Sequence, residues 1–255
     1  MEIKLSERLL AIASLVPEGS VAADVGTDHG YVPIWLVEKG ICPSAIAMDV
    51  RKGPLERAKD HVREAGLSGR IDLRLSDGLE KLLPGEADAI VIAGMGGGLM
   101  VRILEAGAAV FASWEAGKQR LILSPQSEPE LVRHFLEDHG FSIYRERMVM
   151  EDGKYYVILE AGRGTMRLER DFCYIYGRYL IEKKDPVLRA YLEREKRMTL
   201  ELIKTLSDTI RATAVQASQE VNAAAGIRGG ERAVERKREL EEKYRMIEEA
   251  EYEMQ

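Results

Sequence analysis

A chain of 255 residues that is 45% hydrophobic can build one full core and an appendage. It holds no apolar run near the roughly 18 residues of a membrane span, and Cys42 and Cys173 are too few for a disulfide framework or a cysteine zinc site. The net charge of −6 argues against a nucleic-acid partner, yet residues 163–197 carry ten basic and six acidic side chains, a local surface that could face a polyanion.

His29, His61, His134 and His139 show no zinc-ligand spacing, so no metal is expected. The start, Met1-Glu2-Ile3-Lys4, lacks a basic stretch followed by an apolar one. The expectation is a soluble, reduced, cytoplasmic protein with no membrane partner.

In chain order, residues 5–15 read as a short amphipathic helix with Ser6 as a cap. Val21–Val25 is a short strand that runs into a glycine turn. Tyr31–Lys39 is a helix with Pro33 in its first turn and Gly40 behind it. Ala45–Met48 is a strand closed by Asp49. Gly53-Pro54 opens a helix over Leu55–Ala65, and Ile71–Leu75 is a strand ending in Ser76-Asp77-Gly78. Ala89–Ala93 is a fully apolar strand running into Gly94-Met95-Gly96-Gly97-Gly98 and a helix over Leu99–Glu105. Leu121–Leu123 is a strand, and Glu128–His139 is a helix.

The pattern then changes. Phe141–Met150 and Tyr155–Ala161 are strand-like runs joined by Glu151-Asp152-Gly153-Lys154, and Asp-Gly between apolar runs signals a hairpin. Five strands alternating with helices imply a parallel α/β sheet, which an antiparallel pair then closes. Arg163-Gly164 marks a boundary between 1–162 and a helical region over 163–255. There, Leu188, Leu192, Thr199, Leu202, Leu206 and Ile210 form a coiled-coil-like seam. Gly226–Gly230 is expected to break the helix. Val234, Leu240, Tyr244 and Ile247 mark a second one, giving a C-terminal helical hairpin.

Ligands of open parallel sheets bind beyond the carboxyl ends of the strands. Those ends carry Asp24-Val25-Gly26 with Thr27-Asp28-His29, then Asp49, Ser76-Asp77-Gly78, Ala93-Gly94-Met95 and Ser124-Pro125-Gln126. Carboxylates there would repel phosphates but suit ribose hydroxyls, an amine and a base amino group. That chemistry points to S-adenosylmethionine, which has no phosphate, rather than to a nicotinamide dinucleotide. The first turn also lacks a full Gly-x-Gly-x-x-Gly, having Asp28 and His29 where a pyrophosphate would lie.

Several stretches together resemble the bacterial tRNA (adenine-22-N1)-methyltransferase family. They are Leu5-Ser6-Glu7-Arg8-Leu9, Ala23-Asp24-Val25-Gly26-Thr27-Asp28-His29-Gly30-Tyr31, Gly53-Pro54, Ser76-Asp77-Gly78-Leu79-Glu80 and Ile92-Ala93-Gly94-Met95-Gly96-Gly97. The resemblance implies a Rossmann-like class I methyltransferase domain over 1–162, with S-adenosylmethionine as donor and N1 of a tRNA adenine as acceptor. It departs from the family at Ser124-Pro125-Gln126-Ser127, where Gln-Pro-Asn is expected, and at Asp49, where the acid is often Glu.

On that resemblance the donor site comprises Asp24, Gly26, His29, Asp49, Ser76, Asp77, Gly78, Ala93, Gly94 and Met95. Asp24 is expected to meet the donor's amino group or a water, Asp49 the ribose, and Asp77 the adenine amino group beside the Gly78 backbone. Met95 would pack on the donor or the target base, or simply fill core space. The structural alternatives are a turn cap for Asp24, a helix cap for Asp49, an Asx turn for Asp77 and a hydrogen-bonded loop residue for His29. Asp28 is the proposed catalytic carboxylate, holding the N6 amino group, taking its proton or stabilising the developing charge. Arg163, Arg167, Arg170, Arg178, Lys183 and Lys184 form a candidate tRNA surface, and the helical hairpin serves tRNA docking or self-association. The rival readings are a methyltransferase for a small molecule or protein, and a non-catalytic methyltransferase-like binding module.

Overall fold

The computed structural model describes residues 3–217 and 224–255, with side chains described for 3–213 and 231–255. The chain divides into two compact units, Met1–Glu169 and Arg170–Gln255. Among the described residues no helix is long and apolar enough to cross a membrane.

The first unit opens with α1 (Glu7–Ala13), whose cap is the Ser6 hydroxyl accepting from the Leu9 N–H. There follow β1 (Ala22–Val25), α2 (Tyr31–Glu38), β2 (Ala45–Asp49), α3 (Lys52–Glu64), β3 (Ile71–Leu75) and β4 (Ala89–Met95). Then come α4 (Gly97–Ala106), the short α5 (Ala108–Phe111), β5 (Arg120–Pro125), α6 (Pro129–Asp138), β6 (Phe141–Glu151) and β7 (Lys154–Arg163). The seven strands form one sheet in the order β3-β2-β1-β4-β5-β7-β6. The inner pairs are parallel, with Val25 level with both Met48 and Ile92, while β7 runs antiparallel to β5 and β6.

Parallel strands covered on both faces must be apolar on both. β2 is buried at every position, and β1 and β4 at most of theirs. One face of the sheet carries Ala47, Val91, Ile122 and Ile158 into a core with Ile12, Ile34 and Leu36. β2 and β3 lie on one side of β1 and β4 and β5 on the other, so the crevice at the carboxyl ends of β1 and β4 is the topological switch.

The expected Asp-Gly hairpin forms. Asp152 and Gly153 both take left-handed backbone angles (φ 51° and 74°), as the tight turn between twisted strands requires. In the middle of β6, Glu146 makes a fully buried ion pair with Arg133 of α6 at 2.8 Å.

The second unit contains a π-helical turn (Cys173–Gly177), α7 (Arg178–Glu182), α8 (Pro186–Ala217) and α9 (Ala224–Glu253). Asp185 caps α8, its Oδ1 accepting from the Val187 and Leu188 N–H groups. Leu188, Leu192 and Thr199 of α8 are buried, as are Leu240, Ile247 and Ala250 of α9 and Met254 just beyond it. Lys196 of α8 reaches Glu251 of α9 at 2.7 Å, and Lys243 pairs with Glu195.

Three expectations for this unit are corrected. Gly226–Gly230 does not break the helix; α9 starts at Ala224 and runs through it. Glycine in a helix costs about 1 kcal/mol relative to alanine, which a long helix can absorb. The residues between α8 and α9, 218–223, lie outside the described ones. Leu202 and Val234 are off the seam, 49% and 44% exposed, because the stripe on α8 passes through Ile203 instead and, among the α9 side chains described, the first buried one is Leu240.

Candidate active site

A cavity of about 440 Å³ opens at the switch crevice, lined by Asp24, Gly26, Asp28, His29, Asp49, Ala93 and Gly94 among others. The turn after β1 is held against β2 by two hydrogen bonds, Gly26 N–H and Thr27 N–H both donating to the Met48 carbonyl at 2.8 and 2.9 Å. Gly26 has φ +80°, and a Cβ there would stand 3.0 Å from Met95 Cε. Met95 itself is not among the residues lining the cavity; its Cε lies against Gly26.

Asp24 is the penultimate residue of β1 and lines the cavity, half-buried. Burial pushes its carboxyl up to about 6; the Thr27 hydroxyl holds the rise back and the neighbouring Asp49 carboxylate adds to it. Asp49 is 6% exposed, and its Oδ1 accepts from Arg51 N–H at 2.7 Å. A buried carboxylate, Asp49, and a half-buried one, Asp24, around one cavity need a cation or hydroxyl donors to offset their desolvation.

Asp28 stands at the mouth, its side chain 62% exposed. Arg57 Nη2 of α3 donates to its Oδ1 at 2.9 Å, and His29 Nε2 lies 3.5 Å from the same oxygen. Oδ2 has no partner among the described residues. His29 adopts φ +66°, which turns the chain sharply into α2. Its ring stacks on Tyr31 and His61, with centroids 5.2 and 5.4 Å away, and its carbonyl accepts from His61 Nδ1 at 2.9 Å.

Ser76, Asp77 and Gly78 do not line this cavity. The Ser76 N–H donates to the Asp49 carbonyl at 3.0 Å, and its buried hydroxyl donates to the Gly78 carbonyl at 3.0 Å, so the segment is a turn tied to the end of β2. Asp77 is exposed beside it. No cluster of three or more His, Cys, Asp or Glu side chains able to hold a metal occurs among the described residues.

The expected basic surface is mostly engaged within the fold. Arg163 donates to the carbonyls of His139 and Phe111 at 2.9 and 2.8 Å and lies over the Phe141 ring. Arg170 pairs with Glu253, Arg178 with Glu182, and Lys184 donates to the Gln255 carbonyl. Only Arg167 and Lys183 are exposed without an ion pair or side-chain hydrogen bond among the described residues.

A methyltransferase domain family matches residues 5–159. The tRNA (adenine(22)-N(1))-methyltransferase of Bacillus subtilis is 37% identical over 215 residues, which cover 81% of this chain and 87% of that protein. The chain belongs to that methyltransferase family. The crystal structure of the B. subtilis m1A22 tRNA methyltransferase matches with a TM-score of 0.77 at 32% identity, over 98% of this chain and 99% of that one. A Streptococcus pneumoniae relative, crystallised with S-adenosyl-L-methionine, matches with a TM-score of 0.78 at 34% identity, over 97% of this chain and 99% of its own.

Within this methyltransferase fold, strand-end reasoning missed Arg8, Leu9, Tyr31, Val32, Arg51 and Val91, which also line the cavity, as does Gln126, a strand-end residue that was given no role. Arg8 comes from α1, ahead of the first strand, where no strand-end rule looks. Its only sequence signal is the Leu5-Ser6-Glu7-Arg8-Leu9 stretch. Val91 points in from the middle of β4, and its apolar run gives no sign of which side chain faces a ligand.

Proposed function

We infer that this chain transfers a methyl group from S-adenosylmethionine to N1 of adenine 22 in tRNA. The observation that carries the reading is the 37% identity to the B. subtilis enzyme across most of both chains. The cavity fits the donor on its own terms: the half-buried Asp24, pushed up to about 6 by desolvation, has no cationic partner among the described residues, and the crevice offers carboxylates rather than a phosphate cradle.

Bound here, the donor supplies an electrophilic methyl on a sulfonium. Asp24 would hold its ammonium. Asp49, with one oxygen committed to Arg51 N–H, keeps a second for the ribose hydroxyls. Gly26, Ala93 and Gly94 would let backbone approach closely, and His29 would wall the donor pocket. Ser76, Asp77 and Gly78 would receive the adenine end, and Met95 would press Gly26 into place.

Adenine N1 attacks with its lone pair and needs no prior deprotonation, but the methylated base is cationic. Asp28 is the catalytic carboxylate of this proposal. Arg57 and His29 both take Oδ1, so Oδ2 is left to accept a hydrogen bond from the N6 amino group and stabilise the growing charge. Fixing the base in line with the methyl supplies much of the rate, since orientation alone is worth about 7–11 kcal/mol. The adenine must leave its tRNA stack to reach the cavity.

We assign catalysis to residues 1–162 and tRNA docking or self-association to the coiled-coil-like 163–255, and place the protein in the cytoplasm with its tRNA. Exposed Met198, Leu200 and Leu202 on α8 support a contact role for that region. The deciding experiment is labelled methyl transfer to unmodified tRNA transcripts, with the product position mapped. Label at N1 of adenine 22 is expected. Label only on metabolites or protein would replace the substrate, and donor binding with no transfer would leave a binding module.

A further inference from the structure

The cavity is rich in acids, yet one cation is built deep into its wall. Arg8 lies in the first turn of α1 with its side chain 19% exposed. Glu151, at the end of β6, fixes that turn: its Oε1 accepts from the Arg8 N–H at 3.1 Å and its Oε2 from the Ser6 hydroxyl at 3.2 Å. The guanidinium lies over the Tyr156 ring, 5.0 Å from its centroid. Both Glu151 oxygens are therefore committed elsewhere, and the nearest approach of the guanidinium to them is 4.0 Å, at Nε. The Arg8 fork makes no hydrogen bond among the described residues, and Nη1 is buried without an acceptor. A buried guanidinium N–H left unpaired is costly, so a fixed fork of this kind is set for an anionic acceptor from outside the protein.

We propose that Arg8 binds the α-carboxylate of the methyl donor, opposite the Asp24 carboxylate that takes its ammonium. This deepens the donor-site reading above and rests on it. The amino-acid end of the donor is a zwitterion. A cavity that offered only Asp24, Asp28 and Asp49 would bind the ammonium and repel the carboxylate. Of the two cations lining the cavity, Arg8 is the more enclosed, whereas the Arg51 side chain is 75% exposed and sits beside Asp49. A guanidinium matches a carboxylate with two parallel donors, so it adds orientation to charge.

The test compares S-adenosylhomocysteine with its decarboxylated form by titration calorimetry, using the full chain as wild type, Arg8→Gln and Arg8→Lys. The wild type is expected to prefer the carboxylated ligand by about 10- to 100-fold, the usual worth of a charged hydrogen-bonded contact. Arg8→Gln is expected to erase that preference while leaving affinity for the decarboxylated ligand within about twofold, and Arg8→Lys to retain part of it. Equal weakening of both ligands by Arg8→Gln would overturn the proposal in favour of a packing role for α1. Unchanged ligand affinity, with a raised KM for tRNA and a shallower salt dependence, would overturn it in favour of a phosphate contact. Should the variant fail to fold, a wild type that binds both ligands equally would still overturn it. If the wild type binds neither ligand, the donor-site reading fails, and this assignment with it.

Discussion

Arg57 reaches from α3 to the turn after β1 and holds the Asp28 carboxylate, with Nη2 at 2.9 Å from Oδ1. The two residues lie on different elements, and His29 shares the same oxygen. The result is a carboxylate that is open to solvent yet restricted in direction, as a group that must meet an incoming base requires.

Asp28→Asn is expected to lower kcat on tRNA by about 100-fold or more, in the range of a lost general base or charge stabiliser, while S-adenosylhomocysteine affinity stays within about twofold. Arg57→Ala frees the carboxylate without removing it, so a smaller loss, about tenfold, is expected. Single-turnover methyl transfer with a separate binding titration checks both. Full turnover by Asp28→Asn would take that residue out of the mechanism.

Asp24 gives a pH dependence whose sign can be worked out. Its carboxyl stands at about 6 in the folded protein, against an ordinary 3.8. The folded state therefore binds the proton more tightly than the unfolded one. Its ionisation costs stability progressively as pH rises from about 4 to 6, reaching on the order of 3 kcal/mol above that. Ligand-free Asp24→Asn is expected to melt higher than wild type at pH 7.5, with the gap closing below pH 4. Donor binding should run the other way. The ionised form pairs with the ligand ammonium, so affinity in the wild type rises through pH 6 and then levels, and Asp24→Asn binds weakly at every pH. Melting curves and calorimetric titrations between pH 4 and 8 measure both arms.

Much of the first unit was legible in the sequence because its signals are local. The Asp-Gly pair between Met150 and Tyr155 specifies a turn whose two residues both need positive φ, and both have it. The apolar run Ala89–Ala93 is short and runs straight into glycines, which marks it as a buried strand rather than a helix, and Asp24, Gly26, Asp28 and Asp49 follow from where strands end. What was not legible depends on contacts distant in sequence. Nothing near Arg8 announces that Glu151, 143 residues on, will seat it in the cavity wall. Nor does the basic run from Arg163 show that Arg163, Arg170, Arg178 and Lys184 are taken by carbonyls and carboxylates of the fold while Arg167 and Lys183 are not. Gly226–Gly230 misled because local propensity is a weak prior inside a long helix.

Gly97 is set by a close approach between α4 and the loop before α6. A Cβ at Gly97 would stand 2.3 Å from the Glu128 carbonyl oxygen and 2.9 Å from that of Ser127, both backbone atoms that cannot swing away. Gly97→Ala is expected to destabilise by about 1–3 kcal/mol. Its neighbour makes the control: a Cβ at Gly98 meets only the Glu128 carboxylate at 3.7 Å. Gly98→Ala is therefore expected to be neutral or to stabilise by up to about 1 kcal/mol, through helix propensity. Urea unfolding of the two variants separates them, and equal midpoints would show that the loop yields.

The cations after β7 divide into those that hold the fold and those free to meet RNA, and the two kinds predict different measurements. Arg163 donates to two carbonyls and covers the Phe141 ring. Arg163→Ala removes charge-assisted bonds worth about 1.5–3 kcal/mol each, so it should lower the melting temperature and leave the salt dependence of tRNA binding unchanged. Arg167 and Lys183 are exposed, and neither makes an ion pair among the described residues. If these two face phosphates, each alanine variant reduces the slope of log affinity against log salt by about 0.7–0.9, with no change in melting temperature. A slope unmoved by both places the tRNA surface elsewhere on the chain; a slope reduced by Arg163→Ala alone would mean that its two carbonyl bonds do not hold it in solution.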